Sequence, residues 1–172
     1  MVSRLTLKNT EYERHWPAVR GILAESEKLR TQSLTFVDRD AQSFATLMKA
    51  YRLPKETTSD KQTRSKEIQT RLREAAQVPL ETAELAAVTI HAARNLAEYA
   101  NLNALSDIRT AIFLAQAGFQ GASANVATNL PGIRESEYRK DTERKLSELQ
   151  IQIEKNSSEA LRVLTTREKD HG

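Results

Sequence analysis

The 172-residue chain contains no cysteine, which excludes disulfides, thiolate metal ligands and cysteine nucleophiles. Glycine and proline are sparse, at five and four residues, and most of them punctuate long helical patterns. Aromatic residues make up 5% of the chain. They are not interleaved with basic clusters, which argues against a base-stacking surface. The 26 basic and 23 acidic side chains leave a net charge of +3, too small and too dispersed for a nucleic-acid footprint. No apolar run approaches the ~20 residues of a membrane span. The N-terminal "MVSRLTLKNTEY" has no signal-peptide core, so a cytoplasmic location is expected. The three histidines, His15, His91 and His171, are too scattered to form a metal site.

What is present is a globular composition, 39% hydrophobic and 28% charged, long enough for one domain over residues 1–172 with a real core. "MVSRLTL" is short and apolar and reads as the tail of something. Pro17 suits a first helical position, and Val19, Leu23, Leu29 and Leu34 follow in helical period. The pattern continues through Phe44, Leu47, Met48 and Tyr51, with Tyr51 expected in the core, and Pro54 ends it. "TTSDKQTR" opens a second helix with cap residues. Pro79 is predicted to end it and to open another, whose apolar line is Ala86, Ile90, Ala93 and Ala97. "NLN" breaks that helix and "NLPG" ends the next. A last long helix from Arg134 to about Arg167 carries Leu146, Leu149, Ile153, Ala160 and Leu164 as a stripe. The expectation is an all-α array of about six helices, an antiparallel bundle with a long C-terminal helix.

One stretch, "ALSDIRTAIFLAQAGFQGASANVATNL" (104–130), places Asp107, Asn125 and Asn129 on one helical line, with Ala111, Ala115, Gly118 and Ala122 between them. Such a face fits close helix–helix packing. It also fits a floor for a flat ring, with polar groups at its ends.

The order of "VDRDAQSFATLMKAYRLPKE", "VPLETAEL", "NLNALSDI" and "GASANVATNL" resembles the formiminotransferase-cyclodeaminase C-terminal family from Met1 to about Leu164. That family includes formiminotetrahydrofolate cyclodeaminase and methenyltetrahydrofolate cyclohydrolase. The resemblance implies an all-α homodimer that acts on folate-bound one-carbon units, with a formiminotransferase as a possible partner. It implies no cofactor, the tetrahydrofolate derivative being the substrate. Two departures stand out. The "PGGGS"-like turn and first Ala-rich helix that precede the family's "MV..LT" element have no counterpart here, which predicts a reduced folate site and an exposed apolar groove. Arg109 stands where the family has a small residue, and is expected to crowd the cleft; both departures favour the alternative reading, a non-catalytic helical oligomer or truncated pseudoenzyme of the same fold.

Both family reactions pass through one tetrahedral carbon and need protons moved on and off nitrogen or oxygen. A partly buried carboxylate can do this. On the resemblance, Asp107 is the candidate general acid/base, and Asp40, in the family's "D..AF" element, is a second cleft carboxylate. Asn125 and Asn129 are candidates to hold the pterin edge. Asn101, Asn103 and Ser106 enter the site through the family motif. Arg52 and Lys55, beside the "YRLPK" break, are candidates for the glutamate tail. Each has a structural rival. Asp107 would complement a helix dipole, Asp40 would be a solvated charge, Asn125 and Asn129 would bridge helices, and Asn101 and Asn103 would be turn residues.

Overall fold

Thr57 and Asp60 form a reciprocal capping box: the Thr57 hydroxyl accepts from the Asp60 N–H and the Asp60 carboxylate accepts from the Thr57 N–H. These bonds satisfy two donors that a helix start leaves open, and they launch the central element of the molecule. In this computed structural model, which describes residues 1–170, the helices are α1 (Val2–Thr6), α2 (Trp16–Tyr51), α3 (Thr58–Ala97), α4 (Leu105–Asn129) and α5 (Ser136–Lys169). Short 3-10 turns at Thr10–His15, Leu102–Ala104 and Leu130–Gly132 join them, and no strand occurs among the described residues. His171 lies outside the described residues.

The architecture is all-α as expected, with five helices rather than about six. The difference lies at Pro79, where the predicted break does not occur and α3 runs on for 40 residues. A proline inside a helix deprives the carbonyl four residues earlier of its donor and costs about 3 kcal/mol. Here the orphaned acceptor is the Ala75 carbonyl, and the Asn129 side-chain amide of α4 donates to it at 3.2 Å. Pro79 is buried, and α3 is held on both sides of it by α2, α4 and α5. Tertiary packing therefore overrides the local signal.

Helix α3 is the axis of the fold. Its buried face is rich in alanine, including Ala75, Ala76, Ala83, Ala86, Ala87, Ala93 and Ala97, so three helices approach it closely. Three apolar clusters follow one another along it. Ala97 packs with Val19, Ile108 and Leu164, Ile90 with Phe119 and Ile153, and Ala76 with Leu47, Val126 and Ile133. The predicted stripe of the last helix is buried at Leu149, Ile153, Ala160 and Leu164. Arg167 of α5 closes the C-terminus of α3, donating to the Ala97 and Ala100 carbonyls at 2.7 and 2.8 Å. The "NLPG" turn is strapped to α3 by Gln69, which donates to the Gly132 carbonyl and accepts from the Arg134 N–H. A Cβ on Gly132 would stand 3.1 Å from a Leu72 methyl, so a larger residue here would have to push the Leu72 side chain aside.

Helix α2 departs from expectation in its burial. It is anchored at its ends by Val19, Ile22, Leu47 and Ala50, and no residue from Leu23 to Thr46 is buried. Phe44 is 61% and Tyr51 42% exposed. Both side chains lie on the outer surface of the helix, so Tyr51 is not a core residue.

Candidate active site

Helices α2 and α4 both pack on α3 and leave a groove between them, with α3 as its floor. At one end a cavity of about 380 Å³ is bounded by α1, α2, α3 and the first turn of α4, and Asp107 lines it. At the other end a cavity of about 370 Å³ is lined by Asp40 and Val37 of α2, Pro79 and Thr82 of α3, and Gly121 and Asn125 of α4. Ser33 and Leu85 line both cavities, so the two adjoin along the groove. Nothing lies within 4 Å of where a Cβ would stand on Gly118 or Gly121. That part of the small-residue line borders open groove, whereas Ala122 is buried.

The turn that aims Asp107 is fixed from the N-terminal segment. The Thr6 hydroxyl accepts from the Asn101 N–H at 2.9 Å, and the Tyr12 hydroxyl accepts from the Leu102 N–H at 3.1 Å. Asn101 caps the turn by accepting from the Asn103 N–H at 2.9 Å. Directly after that three-residue turn α4 begins at Leu105, with Asp107 in its first turn. Asp107 thus stands where the helix dipole favours an acid and also faces the cavity.

A second acid lines the Asp107 cavity. Glu27 of α2 accepts from Arg4 at 2.9 Å and from Arg30 at 3.0 Å. The hydrogen bonds from Arg4 and Arg30 hold its carboxyl below the usual range. Glu27 is therefore a fixed anion. Asp107 is the cavity's uncommitted carboxylate among the described residues. The Glu27–Arg30 spacing is visible in the sequence as an i,i+3 pair, but the Arg4 contact spans 23 positions and carries no sequence signal.

The predicted site residues divide. Asp40 and Asn125 meet in one cavity and Asp107 occupies the other. Asp107 and Asn125 are 18 positions apart on α4, about 27 Å along its axis, much longer than a pterin. Asn129 is occupied with the Ala75 and Asn125 carbonyls. Asn101 and Asn103 shape the turn, and Ser106 is exposed beside it. Arg52 and Lys55 are exposed at the α2–α3 connection and line neither cavity. Arg109 does not crowd the groove. Its guanidinium turns to α5 and donates to Glu168 at 2.8 Å.

The family model for formiminotransferase-cyclodeaminase matches residues 1–148. The chain belongs to this family. Within the formiminotransferase-cyclodeaminase family, it is 33% identical over 150 residues to a methenyltetrahydrofolate cyclohydrolase of Methylorubrum extorquens, covering 87% of this chain and 71% of that protein. It is 30% identical over 149 residues to a formimidoyltransferase-cyclodeaminase of Mus musculus, of which it spans 28%. The fold matches the crystal structure of a formiminotetrahydrofolate cyclodeaminase from Thermotoga maritima with a TM-score of 0.85 at 30% identity, covering 96% of this chain and 79% of that one. The groove between α2 and α4 is thus part of a fold shared with a cyclodeaminase.

Proposed function

We propose that this chain transforms a one-carbon unit carried on tetrahydrofolate, with Asp107 as the proton-transfer group. The observation that carries the proposal is the placement of Asp107. It is an uncommitted, half-buried carboxylate on a largely apolar cavity, within a family whose named members act on formimino- and methenyltetrahydrofolate. In cyclodeamination, N10 attacks the formimino carbon on N5, Asp107 takes the N10 proton, and a proton returned to the formimino nitrogen lets it leave as ammonia. In the hydrolytic direction, water attacks the methenyl carbon, Asp107 takes its proton, and one carbon–nitrogen bond then opens. The same group serves both, which supports one site for either conversion.

Asp107 is preferred to Asp40 because it is half-buried where Asp40 is exposed, so a ligand at Asp107 is better shielded from water. With the reacting carbon at Asp107, the hydroxyl oxygens of Ser26, Ser33 and Thr89 in the same cavity, whose protons go to the Ile22, Arg30 and Leu85 carbonyls, would accept from the pterin edge. Asp40 and Asn125 then contact a more distant part of the ligand or none. Arg52 and Lys55 are given no role at the ligand. The substrate would come from a formiminotransferase that is a separate chain or a separate domain.

The deciding assay supplies 5-formimino- and 5,10-methenyltetrahydrofolate separately and follows absorbance and ammonia. Ammonia release from the first identifies the cyclodeaminase, and loss of the methenyl chromophore from the second identifies the cyclohydrolase. Conversion of neither overturns the proposal.

A further inference from the structure

The Asp107 cavity holds a second carboxylate to which the proton transfer gives no part. Glu27 stands on α2 and Asp107 on α4, so the two acids occupy opposite walls, with Leu85, Ala92 and Leu96 of α3 as an apolar floor between them. They differ in what they can do. Asp107 is uncommitted among the described residues. Glu27 is clamped: Arg4 donates to its Oε1 at 2.9 Å and Arg30 to its Oε2 at 3.0 Å. An acid kept ionised in this way does not exchange protons near neutral pH, but it accepts strong, charge-assisted hydrogen bonds. A carboxylate has about four lone-pair sites, so each Glu27 oxygen keeps one for a further donor. Its surroundings on α2 accept as well. Ser26 and Ser33 have committed their protons to the Ile22 and Arg30 carbonyls, which leaves their oxygens as acceptors.

We propose that Glu27 binds the amino–amide edge of the substrate's pterin, accepting from N3–H and from the 2-amino group. The inference rests on the folate reading given above and adds the residue that recognises the ring. The chemistry of the edge selects the acid. N3–H and the 2-amino group are neighbouring donors of a cyclic guanidine, and the pair matches the two oxygens of one carboxylate, as a guanidinium fork does. The far side of the bicycle carries N5, C6 and the bridge to N10, where the one-carbon unit sits. A flat ring laid on the α3 floor from α2 to α4 therefore turns its donor edge to Glu27 and its reacting edge to Asp107. Reversing the ring would bring the one-carbon unit to an acid that cannot take a proton. The ring lies across the groove, so the pterin does not reach the cavity of Asp40 and Asn125.

The test is titration calorimetry on the full chain with two probes, 5-formyltetrahydrofolate and its 2-desamino-2-methyl counterpart, which lacks the donor at C2 and keeps the rest of the molecule. Wild type should bind the amino compound roughly tenfold or more tighter, the worth of one charge-assisted hydrogen bond. Glu27→Gln turns one acceptor into a donor. It should weaken the amino compound far more than the methyl one, so that most of the discrimination is lost. Glu27→Asp keeps the charge but draws it back by one methylene. It should lose part of the discrimination, and it gives the answer where the glutamine variant unfolds, with circular dichroism as the check on folding. Equal affinity of wild type for the two probes, or variants that keep the wild-type ratio as a merely structural acid would, overturns the role of Glu27 and leaves the folate reading standing. A wild-type chain that binds neither probe overturns both.

Discussion

The side-chain amide of Asn129 fills the hydrogen-bonding place that Pro79 leaves open: its Nδ2 donates to the Ala75 carbonyl at 3.2 Å, the acceptor a residue-79 N–H would otherwise serve. The pair ties α4 to α3 beside the Asp40 end of the groove, where Pro79 is part of the wall. Asn129→Ala should destabilise the fold by about 1–3 kcal/mol, the usual cost of an unsatisfied buried acceptor. In a Pro79→Ala background the new N–H can serve Ala75, so the same substitution should cost much less. Urea unfolding of the four proteins gives the coupling, and equal costs in the two backgrounds would refute the link.

Asp107→Asn keeps the shape of the side chain but removes its ability to exchange a proton near neutral pH. Turnover of the folate substrate should fall by roughly 10²-fold or more with little change in affinity. Asp40→Asn should retain most of the turnover, and Asn125→Ala should act on binding if it acts at all. Steady-state kinetics on the three variants separates these outcomes. Wild-type turnover in Asp107→Asn together with a collapse in Asp40→Asn would move the reacting carbon to the other end of the groove.

A ligand that binds only the folded chain raises its stability according to its excess over Kd. A reduced folate at ~100-fold excess should add about 2.7 kcal/mol. Thermal melts with and without 5-formyltetrahydrofolate, a stable analogue, check this. Ser33→Trp, which projects a large ring into the junction of the two cavities, should reduce the shift. A shift of full size in that variant would place the ligand outside the groove.

The Glu27 carboxyl, held below its ordinary value of 4.5 by Arg4 and Arg30, ties α1 to α2 in a pH-dependent way. Its folded pKa is lowered, so its contribution is fully present above the unfolded value and is lost as the pH falls through the folded one. Arg4→Gln should therefore unfold at lower urea than wild type at pH 7. The gap should narrow in acid, once Glu27 is protonated in both proteins. A gap that stays constant down to about pH 2, well below the ordinary carboxylate range, would mean that Arg4 contributes through packing rather than through the ion pair.

The sequence by itself determined which segments are helical. The apolar line Ala86–Ile90–Ala93–Ala97 and the stripe from Leu149 to Leu164 recur at the helical period, and both are buried, because period alone fixes which face a helix can offer to a core. The Thr57–Asp60 cap was also legible, since its partners are three positions apart. So was the family, through four motifs in order. Only the tertiary structure decided the rest. Pro79 reads locally as a break, and a helix passes through it because Asn129, 50 positions later, supplies the missing donor to Ala75. Arg109 reads as an obstruction until Glu168 draws it away. Asp107, Asn125 and Asn129 share a helical line, yet they serve different cavities and a strut. A line on one helix gives direction around the axis but says nothing of what stands opposite each turn, and that is set by where α2 and α3 lie. The groove itself exists only between helices, so no pattern within a single helix could have shown that Asp40 and Asn125 meet.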